Sequence, residues 1–131
     1  MNKCLLCSSI VTGFLMILII YNRYNPTYRV LYVFVFLGIL TSILNHGTKK
    51  KKNKVIDRTV IVLNVFVFLY FIRGERVKLV DKLSLLFLAC FLYIYSKSQD
   101  SKFMRNGLHS SSHFLAVLLL WELVGERSLE N

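Results

Sequence analysis

The sequence predicts an all-α, polytopic membrane helix bundle with about five transmembrane helices in a single integral domain spanning residues 1–131. Three observations predict it. Of 131 residues, 55% are hydrophobic and 18% charged, where a typical soluble domain carries about 25% charge. A chain this short has little interior in which to hide so much Leu, Ile, Val, Phe and Tyr from water. The apolar residues are also gathered into long runs separated by short basic stretches, and the mean hydropathy is +0.53. A soluble globular domain and a disordered chain are both disfavoured.

The elements follow in order as apolar segments over residues 5–21, 28–46, 57–72, 79–96 and 107–124, each 16 to 19 residues long. At 1.5 Å per residue they reach roughly 24–29 Å, enough for a hydrocarbon core near 30 Å. Helices are the form that lipid permits, because no water is present there to satisfy an open strand edge. The first run follows a short basic start, as a signal peptide also would. No A-x-A-like cleavage site follows it; the next residues are Asn22, Arg23, Tyr24 and Asn25. It is read as a retained helix. Pro26 falls in the first loop, where it breaks the chain at little cost. None of the runs has a clean period of two or of 3.6, as expected where lipid surrounds most faces.

The charge balance is 17 Lys and Arg against 7 Asp and Glu, a net charge of +10. Because the cations sit between the apolar runs, they read as loop charges and not as a nucleic-acid surface. With the N-terminus cytoplasmic, that side holds Lys3, Lys49, Lys50, Lys51, Lys52, Lys54, Lys97, Lys102 and Arg105. The other holds Arg23, Arg29, Arg73, Arg76, Lys78 and Arg127. Nine against six favours the N-terminus in and the C-terminus out. The lysine run reads as a solvated, topology-fixing loop with some attraction to anionic headgroups. Cys4, Cys7 and Cys90 are too few for a disulfide framework. Tyr93, Tyr95 and Trp121 read as interfacial anchors.

Chemistry concentrates on the three histidines of the chain, His46, His109 and His113. His109 and His113 stand at i, i+4, so both rings leave one helical face a turn apart, a spacing suited to one zinc ion. Ser42 lies four residues before His46, and Asp57 opens the third segment. Helix-count parity brings Ser42, His46, Asp57, His109 and His113 to one membrane level, whichever way up the protein sits. Three neutral imidazoles hold Zn²⁺ and leave a position for water, whose pKa the metal lowers toward about 7. Asp57 would accept a hydrogen bond from that water or act as general base, and Ser42 would steady an oxyanion or orient the water. Plainer roles stand beside these. Asp57 also reads as a helix N-cap, Ser42 as a hydroxyl bonded back to its own helix, and Ser110, Ser111 and Ser112 as small packing residues.

Ser42-x3-His46, Asp57 at the start of the next helix, and His109-x3-His113 in the last helix together resemble the alkaline ceramidase and PAQR-receptor superfamily, often called CREST. The ten residues between His46 and Asp57 are similar to the gap in the alkaline ceramidases. The resemblance implies that His46, His109 and His113 ligate zinc, with Ser42 and Asp57 around the water it activates. It also implies hydrolysis of a lipid amide, ceramide above all, so that the partner is a membrane lipid, sphingolipids included. The family has seven helices, whereas this chain shows five, and pairing with a second copy is one way to restore the missing walls. The family's acidic calcium motif has no counterpart in residues 1–9, which contain no acidic residue. Two function classes follow: a zinc-dependent integral membrane hydrolase cleaving a lipid amide or ester, and a non-catalytic multi-pass protein, receptor-like or scaffold, in which zinc is structural or absent.

Overall fold

The computed structural model describes residues 2–74 and 78–130, with side chains as far as Val124. Among these residues there are five α-helices and no strand. The helices are α1 (Lys3–Asn22), α2 (Arg29–Gly47), α3 (Lys51–Arg73), α4 (Leu79–Lys97) and α5 (Lys102–Glu130). A short 3₁₀ turn, Pro26–Tyr28, leads into α2. Each α-helix is long and apolar enough to cross a membrane. Of the basic residues used in the topology count, Arg76 lies outside the described residues and Arg127 beyond the described side chains.

Local chemistry sets the helix ends. Asn2 caps α1, its side chain accepting from the Leu5 amide at 3.1 Å, which satisfies one of the orphan donors of a first turn. Asn25 does the same for the 3₁₀ turn, accepting from the Thr27 amide, and Pro26 occupies the position where a missing N–H costs nothing. Several helices overshoot their apolar runs, α5 covering Lys102–Glu130 against 107–124, and one overshoot bears on the site. α3 begins at Lys51 with Lys50 as its N-cap, two turns before the apolar run. Asp57 is therefore not an N-cap; it stands inside the helix. Lys51, Lys52 and Lys54 are likewise the exposed first turns of α3 rather than loop. Lysine is a good helix former, and a helix that overshoots the hydrocarbon lifts its cations to the headgroups.

The helices close into a ring in chain order. α1 packs on α2 and α5, α2 on α3, and α4 on α5, while α3 and α4 make the sparsest contact of the five neighbours. Two glycines permit the closest approaches. A Cβ at Gly13 would lie 2.7 Å from Ile39 Cγ2, and one at Gly38 would lie 3.1 Å from Asn64 Nδ2. Small residues at such crossings are how membrane helices pack without a hydrophobic driving force between them. Large apolar side chains cover the outside, including Phe14, Phe36, Phe66 and Ile94. A water-soluble monomer does not expose apolar surface on this scale, whereas lipid accommodates it.

The packed core lies toward one end. Tyr28, Leu31, Phe68, Ile72, Leu120 and Leu123 are buried together there. The Tyr28 hydroxyl donates to the Leu123 carbonyl at 3.3 Å, and the Arg23 guanidinium sits 3.8 Å over the Trp121 ring. At the other end the start of α1 meets the end of α2 and the start of α5. The Asn2 amide donates to the His46 carbonyl at 2.9 Å, and Asn2 Nδ2 donates to Asn106 Oδ1 at 3.1 Å. The bundle is filled at the first end and hollow at the second, where the histidines are.

Candidate metal centre

His46 comes from the last turn of α2, and His109 and His113 come from two turns of one face of α5. The three rings converge. Their centroids are 5.1 Å apart for His46 and His109, 6.0 Å for His46 and His113, and 4.7 Å for His109 and His113. One donor nitrogen from each lies within 4.8 Å of the others. His46 and His109 are 6% and 7% exposed, and the Nε2 atom of each is buried without a hydrogen-bond partner. Buried polar atoms are normally satisfied, so two orphaned imidazole nitrogens facing a third histidine form a donor set that lacks its acceptor. A tetrahedral metal with bonds of ~2.1 Å holds its nitrogens roughly 3.4 Å apart, a spacing compatible with donors that lie within 4.8 Å of one another. The residues present fit zinc.

The surrounding groups orient these rings. His113 Nδ1 and Ser8 Oγ share a hydrogen bond of 3.0 Å; with Nδ1 as donor, Nε2 carries the free lone pair. Tyr93 packs edge-on against His109, centroid to centroid 5.0 Å. Such contacts fix ring orientation and tautomer in metal sites.

Asp57 is 2% exposed and held from α2. Its Oδ1 accepts from Thr41 Oγ1 at 3.3 Å and its Oδ2 from Asn45 Nδ2 at 2.9 Å. The Ser42 hydroxyl is paired with Ser9 Oγ at 2.7 Å, across to α1 rather than back along its own helix.

Two cavities meet at this cluster. A polar one of about 390 Å³ is lined by His46 and His109 together with Asn2, Asn45, Lys54, Arg58 and Lys97. An apolar one of about 450 Å³ runs along the bundle axis and takes in Ser42, Asp57 and His113. Tyr93 borders both. The exposed residues lining the apolar cavity are Val62 and Phe66 of α3 and Ile94 of α4. It therefore opens sideways at the sparse α3–α4 seam.

All five residues expected at the site are thus found around one pair of cavities, the histidines in mutual contact and Ser42 and Asp57 in the wall beside His113. Ser8, Ser9, Thr41, Asn45 and Tyr93 were missed as site residues. For Ser8 and Tyr93 the signal was the same parity: the start of α1 and the end of α4 lie at the histidine level too. Tyr93, expected as an interfacial anchor, faces His109 because the rotation of α4 about its axis turns it inward.

Comparisons with protein-family models, with curated proteins and with solved structures give no match. Fold does not determine function, so the functional reading is argued from the site itself.

Proposed function

We propose that this protein is a zinc-dependent integral membrane hydrolase that cleaves an amide or ester bond in a lipid. The observation that carries the reading is the buried His46–His109–His113 cluster, set beside an apolar cavity that opens toward lipid between α3 and α4. His46, His109 and His113 would hold the metal. Zinc supplies a water of lowered pKa and polarises a carbonyl.

The remaining chemistry belongs to the chain. Hydrolysis breaks the acyl C–N or C–O bond, adds the water oxygen to the acyl carbon and delivers a proton to the departing amine or alcohol. The Asp57 carboxylate, anchored by Thr41 and Asn45, would take the proton from water and pass it to the leaving group. The Ser42 hydroxyl would donate to the developing oxyanion, with Ser9 as its partner. The apolar cavity would hold the acyl chain, admitted sideways through the seam, and would exclude bulk water from its surroundings. The spacing of Ser42, His46, Asp57, His109 and His113 resembles the alkaline ceramidase superfamily and supports a ceramide-like amide as one substrate. The charge bias of the loops supports a cytoplasmic site.

A non-catalytic reading draws on one observation. Ser8, His46 and His113 tie α1, α2 and α5 together at this point, as a structural zinc clamp would. One experiment separates the outcomes. Detergent-purified wild type is expected to carry about one zinc per chain by elemental analysis, lost in the His109→Ala, His113→Ala double variant, with a lipid acyl hydrolysis that disappears alongside it. Zinc without turnover on any amide or ester lipid would favour the clamp, and wild type free of zinc would end both the hydrolase and the clamp, leaving a non-catalytic bundle without zinc.

A further inference from the structure

The polar cavity shows a charge pattern that zinc chemistry leaves unexplained. Lys54 and Arg58 of α3 and Lys97 of α4 line it, and no acidic residue does. All three are exposed, and none makes a contact ion pair among the described residues, although Lys97 and Arg58 act on the Asp57 carboxylate electrostatically. Two of the three reach the histidine cluster through Tyr93: Lys97 Nζ lies 4.6 Å from its ring and Arg58 hydrogen-bonds its side chain, while the ring abuts His109. The nearest anion is Asp57, in the wall of the other cavity, where both oxygens are already engaged by Thr41 and Asn45.

Three cations against one carboxylate leave an excess of two positive charges in the vestibule before any metal binds. Like charges gathered in one vestibule repel one another, and an anionic partner relieves that repulsion. The cations also flank the α3–α4 seam at the headgroup end, above the opening of the apolar cavity.

We infer that the lipid this site takes is anionic, with a phosphate-bearing headgroup held in the polar cavity by Lys54, Arg58 and Lys97 while its acyl chain lies in the apolar cavity. This deepens the hydrolase reading and rests on it for the bound lipid being a substrate. Arginine and lysine together are the ordinary phosphate-binding set, the guanidinium giving a planar pair of donors and the ammonium a point charge. A neutral headgroup would leave the excess of two positive charges unbalanced. A phosphocholine headgroup would bring a fourth cation along with its phosphate and no net negative charge, so the vestibule selects against it. The lysines at 49–52 do not line this cavity and act only as general attraction for anionic membrane.

The test is native mass spectrometry of the full detergent-solubilised chain with dioctanoyl phosphatidate, dioctanoylglycerol, dioctanoyl phosphatidylcholine and inorganic phosphate, beside zinc analysis of the same samples. One phosphatidate per chain is expected, bound at least tenfold more tightly than the neutral or the choline lipid or free phosphate. Lys54→Gln, Arg58→Gln, Lys97→Gln together should remove that preference while zinc content stays unchanged. The charge-keeping pair Lys54→Arg, Lys97→Arg should retain it, as should neutralisation of Lys49–Lys52 by Gln. Equal binding of neutral and anionic lipid would overturn the assignment, as would loss of the preference on neutralising Lys49–Lys52. Free phosphate binding as tightly as phosphatidate would overturn the lipid part of it. Anionic preference in a wild type that carries no zinc would leave the headgroup site standing and sink the hydrolase reading alone.

Discussion

The hydroxyl of Ser8 stands 3.0 Å from Nδ1 of His113, so the first helix of the chain sets the orientation of a ring on the last. The distance spans 105 positions of sequence, yet both residues belong to one membrane level. Removing a partner that orients a metal-bound histidine typically costs 10–100-fold in metal affinity. Ser8→Ala should therefore still bind about one zinc per chain at saturation but yield it to a chelator at a concentration roughly tenfold lower or more. Chelator competition on purified protein reads this directly. An unchanged competition curve would mean that Ser8 only fills space.

Asp57 makes a different demand. Its two oxygens are engaged by Thr41 and Asn45, neither of which is charged, so uncharged donors hold the carboxylate in place while Lys97 and Arg58 act on it only electrostatically. Asp57→Asn keeps the shape and removes the proton acceptor. General base catalysis is worth about 10²–10⁴-fold, and the variant should lose lipid hydrolysis on that scale while zinc content stays at the wild-type value. Asn45→Leu should instead act on stability, by about 1–3 kcal/mol, because it strips a buried carboxylate of its shorter hydrogen bond. Thermal unfolding in detergent separates the two effects.

Much of this arrangement was legible in the sequence because membranes simplify geometry. Five apolar runs of spanning length fix five helices, and alternation of direction then fixes which loops share a side. Ser42, His46, Asp57, His109 and His113 follow from counting alone. Hidden from counting were the rotations of the helices about their axes. Whether Tyr93 faces lipid or His109, and whether Ser42 bonds to its own helix or to Ser9, depends on packing that an apolar run without a clear face does not encode. The start of α3 was misplaced for a related reason. Hydropathy marks where lipid begins, whereas the helix begins at Lys51, in residues that favour helix but belong in water.

The crossing of α1 and α2 tests the packing. Any side chain at Gly13 meets Ile39 at 2.7 Å, so Gly13→Val should destabilise by about 1–3 kcal/mol, as overpacking of a tight contact does. Combining it with Ile39→Ala should recover part of the loss, which a double-mutant cycle would measure as a coupling. Gly107 is the internal control. A Cβ there meets nothing within 4 Å and the position is helical, so Gly107→Ala should stabilise by about 0.5–1 kcal/mol. Equal effects at the two glycines would mean that α1 and α2 are not this close.

The route to the site is the last expectation. Ala89 lines the apolar cavity from α4, close in sequence to Cys90 and Tyr93, which also border it. It is near neither the histidines nor the cations in sequence, and it offers no polar atom. Replacing Ala89 with Phe fills the space the acyl chain would use and leaves the donor set intact. Zinc content and the binding of inorganic phosphate should be unchanged. Hydrolysis should fall steeply for long-chain lipids and little for short-chain ones, because only the former need the occupied volume. Measuring both chain lengths on the same preparation turns the cavity into a ruler. A uniform fall across chain lengths would indicate a general defect, and an unchanged rate for both would show that the substrate does not lie along α4.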